Sequence, residues 1–366
     1  MVPGASDTTA ALAAFDGAAA GAFACNLGFT GEFSIYRSLI SLSVLLTLIT
    51  VILSAYIRLA EVGIGCEPWP VCYAQLDAGL EKKGVTVLTP QGQDMAHRGA
   101  RIAHRYIASI LGILIVGIFV AALRRGARRT VGIAVPTAVL LITVFLSLLG
   151  YYTPTRSNPL ITMGNLLGGM AMLGLLWWMM QREAEQIEAN AADGRWRVWA
   201  RLGVAMIALQ IVLGGWSSAN YASANCPGLI DCQPQLRIAD IPDAFNPARA
   251  IELDASGKVI RSEAPGLMSM AHRLLALLTA AYLAWLVRAL KSQRELGATL
   301  ATLAVFSIGQ LLLGVLNIWF ALPLLMLTLH NALAAGLLLS GINLLHRLSP
   351  AIGSVPPPSP PPHHPG

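Results

Sequence analysis

Charge is scarce in this chain. Only 12% of its 366 residues are Asp, Glu, Lys or Arg, 55% are hydrophobic, and mean hydropathy is +0.62. A soluble domain carries about twice that share of charge, so a soluble globular fold is excluded. The stretch 1–37, rich in Ala and Gly, lacks the basic n-region and compact h-region of a cleaved signal peptide. Cysteine is also sparse, five in all. Basic residues outnumber acidic ones, 25 to 19, which gives a net charge of +6. That excess sits in loops between apolar runs, so membrane orientation explains it without a nucleic-acid partner.

What the chain has in abundance is apolar runs of spanning length, about 20 residues each. Eight are expected, near 38–60, 102–123, 131–152, 159–180, 198–219, 267–290, 298–321 and 322–345. In lipid such runs must be helical, because backbone groups find no water to bond. The fold class is therefore an all-α membrane protein. Arg124, Arg125, Arg128 and Arg129 form the most basic loop. Arg182, Arg195, Arg197 and Arg201 cluster further on, then Arg288, Lys291 and Arg294, then Arg347. With eight spans all four clusters fall on one side, which reads as cytoplasmic, with both termini there.

The chain repeats itself. Ala103-His104-Arg105 opens one run and Ala271-His272-Arg273 another, 168 residues later. NPLITMGNLLGGMAMLGLL (158–176) parallels LPLLMLTLHNALAAGLLL (322–339), which sets Asn165 against His330 at an offset of 165. CEPWPVC (66–72) parallels CPGLIDC (226–232) at an offset of 160. Each unit is four helices with a long outer loop between its first and second. An even number of spans inserts both units the same way up. The expected arrangement is two parallel repeats about a pseudo-twofold axis along the membrane normal. The divisions expected are a cytoplasmic tail 1–37, a first repeat 38–180, a cytoplasmic linker 181–197, a second repeat 198–345 and a Pro-rich tail 346–366. His363 and His364 in that tail read as compositional rather than as a metal site.

A histidine inside a membrane span is costly and marks a functional site. His272 and His330 enter the sixth and eighth spans at similar depth, on the order of 5–12 Å below the outer boundary. Two neutral imidazoles from facing helices can ligate one heme iron from both sides. A hydrogen-bonded core role is the alternative. Arg105 and Arg273 follow their histidines and either pair with heme propionates or snorkel to the outer surface. In the first repeat His104 is present, but Asn165 stands where the second ligand is expected. His97 lies seven residues before His104, on the same face but about 10 Å away, so the two cannot be axial ligands of one iron. The paired cysteines Cys66, Cys72, Cys226 and Cys232 fit two small disulfide loops or a four-cysteine zinc site. Cys25 falls on the cytoplasmic side.

These segments resemble the bacterial heme A synthases. The likeness covers roughly 38–345 and rests on YIRLAEVGIGCEPWPVC, IAHRYIASILG, NPLITMGNLLGGMAMLGLLWW, QIVLGGWSSANYASANCPGLIDC and MAHRLLALL with LPLLMLTLHN. A QxxLG pattern recurs at Gln210 and Gln310. The resemblance implies oxidation of a methyl group of heme O to a formyl group, giving heme A for cytochrome c oxidase. It implies heme b on His272 and His330, substrate heme in the first repeat, and disulfides in both outer loops. It places the protein in a bacterial inner membrane with its heme sites toward the outer face. Candidate partners are heme O synthase, cytochrome c oxidase subunit I and a second copy of the chain.

Two positions depart from the family pattern, both in the first repeat. Asn165 stands where a histidine is expected. Arg101, three residues before His104, stands where a glutamate is expected. A carboxylate can accept a proton or stabilise a developing cation, whereas arginine stays protonated and does neither. Asp94, three residues before His97, offers a second register. His104, Arg101 and Asn165 are the candidate catalytic residues. The rival readings are a diverged paralogue that holds heme b for electron transfer or oxidase assembly, and a transporter with parallel repeats.

Overall fold

A computed structural model describes residues 32–61, 90–126, 131–152, 159–184, 194–220, 222–226, 228–229, 238–248, 264–320 and 324–349. The described residues are helical and contain no strand. The long helices are α1 (Glu32–Glu61), α2 (Pro90–Arg125), α3 (Ala134–Tyr152), α4 (Pro159–Ala184), α5 (Gly194–Ala219), α6 (Ala264–Leu290), α7 (Gly297–Trp319) and α8 (Leu324–Arg347). Short helical turns at Ala222–Asn225, Ile238–Asp240 and Ile241–Ala244 lie between α5 and α6.

Seven of these helices are long and apolar enough to cross a membrane. The third expected span is the exception. Its apolar part, Ala134–Gly150 in α3, is shorter. At 1.5 Å per residue it reaches about 26 Å, less than a hydrocarbon core of about 30 Å. Two other bounds shift. Helix α2 begins at Pro90, a dozen residues before the expected span, and α4 runs on to Ala184, into the expected linker. Polar residues at both ends extend the helices past the apolar windows that define spans.

The outside of the bundle is greasy. Tyr106, Ile113, Leu141, Leu277, Ile308 and Leu325 are all exposed. The interior holds small and polar groups beside its aliphatic core. Ser43 and Thr47 of α1 are fully buried, and Thr47 Oγ1 donates to the Ser43 carbonyl at 2.6 Å. Such a distribution suits a lipid solvent, where hydroxyls turn inward and bond their own helix. Glycines allow close crossings: a Cβ on Gly169 of α4 would lie 3.1 Å from Val51 of α1, and one on Gly174 would lie 3.0 Å from Ile342 of α8.

Helices α1 to α4 close on themselves, each touching its two neighbours in the order α1, α2, α3, α4 and back to α1. Helices α5 to α8 close in the same order. The two sets join through α1 against α8, α4 against α5, and α4 against α8. One end of the assembly is fixed by charge. Arg125 at the end of α2 pairs with Glu183 at the end of α4 at 2.9 Å and lies over the Tyr36 ring at the start of α1, 4.3 Å from its centroid. Arg197 at the start of α5 donates to the Leu348 carbonyl after α8 at 3.1 Å. The basic clusters near residues 125, 182, 197 and 347 therefore share one end. His104, His272 and His330 lie toward the other, whereas His346 packs on Trp178 near the basic end.

Candidate functional site

Helices α6 and α8 stand diagonally across the second set, separated by α5 and α7. Each carries one histidine. His272 lies two turns into α6 and His330 two turns into α8, both partly buried. The two imidazoles are near enough to interact electrostatically.

Each ring rests against a glutamine and a glycine of a neighbouring helix. Gln210 of α5 donates from Nε2 to the His272 carbonyl at 3.0 Å, and the same nitrogen is 3.0 Å from His272 Nδ1. Four residues on, a Cβ at Gly214 would lie only 2.7 Å from His272 Cε1, so the ring occupies space that a side chain there would need. Gln310 of α7 places Nε2 3.1 Å from His330 Nε2, and a Cβ at Gly314 would lie 3.6 Å from His330 Cε1. Positions four apart share a helix face, so each neighbour presents amide and gap together. His330 Nδ1, Gln210 Oε1 and Gln310 Oε1 are buried with no hydrogen-bond partner among the described residues.

Beside this pair, Arg58 near the end of α1 donates to Asn331 Oδ1 at 3.3 Å, joining the first set to the residue after His330. Above it, Arg273 does not reach outward. Its guanidinium donates to the carbonyls of Cys226 at 2.9 Å, Gly228 at 2.5 Å and Leu229 at 2.8 Å, which ties the loop after α5 to α6. Cys226 is buried and disulfide-bonded, its partner lying outside the described residues. Trp216 Nε1 donates to the Ala244 carbonyl at 2.9 Å and closes the same region.

The first set has a similar outline and different contents. His104 on α2 and Asn165 on α4 also stand on diagonal helices. Both are partly buried and make no hydrogen bond among the described residues. Arg101 and Arg105 are exposed on α2. Gly164, next to Asn165, faces Leu149 and Phe145 of α3, at 2.8 Å and 3.4 Å from a Cβ placed on it. Applying the offset of 165, these are the positions that Gly314 and Gln310 occupy in the second set. Applying 160, Gln210 and Gly214 correspond to Thr50 and Ser54 of α1. Asp94 and His97 fall in the first turns of α2, where side chains lie outside the described residues, as do Cys25, Cys66, Cys72, Cys232, His363 and His364.

Chemically, the second set offers two nitrogen donors across a bundle interior. No group of three His, Cys, Asp or Glu gathers among the described residues. A pair of imidazoles alone is the donor set that a porphyrin completes, because the ring supplies the other four nitrogens of the iron. Three buried polar atoms without a partner among the described residues lie on His330 and the two glutamines. Gln210, Gln310 and their glycines carry no charge, and nothing in their type marks them. Their only signal in the sequence is the recurring QxxLG.

Residues 37–342 match the family model COX15-CtaA, described as cytochrome oxidase assembly protein. A heme A synthase of Shewanella oneidensis is 29% identical over 315 residues, which is 84% of this chain and 94% of that protein.

Proposed function

The chain belongs to the COX15-CtaA family of cytochrome oxidase assembly proteins, the family of the heme A synthases, and from this premise we propose that it oxidises a methyl group of heme O to a formyl group. The observation that carries the reading is the imidazole pair on α6 and α8, each ring seated by a neighbouring glutamine. In this reading His272 and His330 would hold a resident heme b, which would supply one-electron transfer when bound. The substrate heme lies in α1–α4, with His104 toward its iron, and Arg101 and Asn165 at its edge. Methyl-to-formyl oxidation removes several electrons, so a resident carrier next to the substrate has a clear use.

The chain's own residues set the remaining terms. Gln210 and Gln310 orient the rings. Arg273 and the Cys226–Cys232 disulfide hold the outer loop over the resident site, and the Cys66–Cys72 disulfide does the same over the substrate. Arg105, exposed on α2, is free to meet a propionate. The fold reads as eight spans in two parallel four-helix repeats about a pseudo-twofold axis, supported by the same ring of neighbours in each set. Both termini and the basic clusters face the cytoplasm of an inner membrane, with the histidines toward the outer side. Heme O synthase and cytochrome c oxidase subunit I are the partners the chemistry calls for.

The test is co-expression with a heme O synthase in a host that makes no heme A, followed by mass analysis of extracted hemes. The expected result is heme A. Heme O alone, from a folded protein carrying heme b, contradicts the proposal.

A further inference from the structure

One device serves both imidazoles. On α5 it is Gln210 and Gly214, and on α7 it is Gln310 and Gly314. These two helices are not repeat-equivalent, so duplication of the four-helix unit does not account for the coincidence. In both cases the amide Oε1 is buried without a hydrogen-bond partner among the described residues. A histidine that gives one nitrogen to a metal keeps a proton on the other and donates it to an acceptor. A half turn of a terminal amide exchanges Nε2 and Oε1 in place. Each glutamine therefore stands where that acceptor is needed, and at Gln210 the turn also gives up the Nε2 bond to the His272 carbonyl.

We infer that Gln210 and Gln310 are positioning residues for the axial imidazoles, each fixing its ring's rotation and accepting the ring N–H when iron takes the other nitrogen. The inference rests on the proposed heme at His272 and His330. The two seats differ. Gln210 faces Nδ1 of a ring packed more closely, with a Cβ at Gly214 2.7 Å from it against 3.6 Å at Gly314. Gln310 faces Nε2 and leaves Nδ1 buried without a partner among the described residues. The larger effect is expected at Gln210.

The full chain, purified with its heme, is compared as Gln210→Leu and Gln210→Glu by heme content, low-spin signature and midpoint potential. Gln210→Leu should weaken heme retention about 10–100-fold, the usual cost of losing a ligand's outer partner. It should also raise the potential, because a ring N–H without an acceptor makes a less basic ligand. Gln210→Glu should keep the heme and lower the potential. The same substitutions at Gln310 should move both readouts the same way by less. Shifts of one sign in Leu and Glu variants, or a Glu variant at the wild-type potential, overturn the inference; the latter decides even where the Leu variant does not fold. A wild-type protein without a bis-imidazole low-spin signature overturns the heme reading itself. A wild-type signature with unresponsive glutamine variants overturns this inference alone.

Discussion

The two four-helix sets close in the same order and differ in what they hold. In α5–α8, diagonal helices carry two histidines, and the helices between them supply two amides and two glycines. In α1–α4, the matching places carry one histidine, one asparagine, a threonine, a serine, a phenylalanine and a leucine. Between α7 and α8 the glycines stand on both helices, Gly336 of α8 receiving Phe306 of α7, whereas between α3 and α4 they stand on α4. Gly164 and Gly168 of α4 receive Leu149 and Leu146 of α3, whereas Gly309 and Gly314 of α7 receive Leu333 and His330 of α8. Gly314 lies opposite His330, and Leu149 stands at the matching place, packed on Gly164. The proposed ligand pair of the second set is thus closely packed by its neighbours. In the proposed reading the first set, with a single imidazole, takes a group that must enter, react and leave.

Substitutions can break this comparison. The largest effect is expected from Gly214→Ala. Its Cβ would lie 2.7 Å from His272 Cε1, so the ring must move. Heme content should fall on the order of 10–100-fold, as for other losses of ligand orientation. Wild-type heme content would show that the ring tolerates the crowding. Next is the double change Asn165→His with Arg101→Glu, which gives the first set a second imidazole and a carboxylate. Heme A yield should rise several-fold, and no gain would mean that the native residues work by another design. Arg273→Lys removes a fork that holds three loop carbonyls, at a cost of about 1–3 kcal/mol. Limited proteolysis should then cut sooner between α5 and α6, and an unchanged rate would argue that the disulfide alone holds the loop. The smallest effect is expected at Ser54→Ala, the counterpart of Gly214→Ala, with stability within about 0.5 kcal/mol of wild type and heme content unchanged.

Much of the fold is legible in the order of residues alone. Apolar runs name the helices, because spanning length is a one-dimensional property. The repeated Ala-His-Arg and the alignment of Asn165 with His330 point to both candidate sites. What stays hidden depends on lateral packing. Gln210 meets a residue 62 positions away and Gln310 one 20 away, and an uncharged amide in an apolar run carries no local sign of its partner. Arg273 follows its histidine, which suggests a propionate partner, yet its donors meet the carbonyls of a loop more than 40 residues upstream. The short apolar stretch of α3 shows the limit of window reading, since polar flanks and helix ends shift what counts as a span.

The inequality of the two sets is tested most directly by single ligand deletions read by electron paramagnetic resonance on the purified, heme-bearing chain. His272→Ala and His330→Ala should each abolish a low-spin bis-imidazole signal, and His104→Ala should leave it intact. Loss of that signal in His104→Ala, or its survival in either of the other two, would contradict the account.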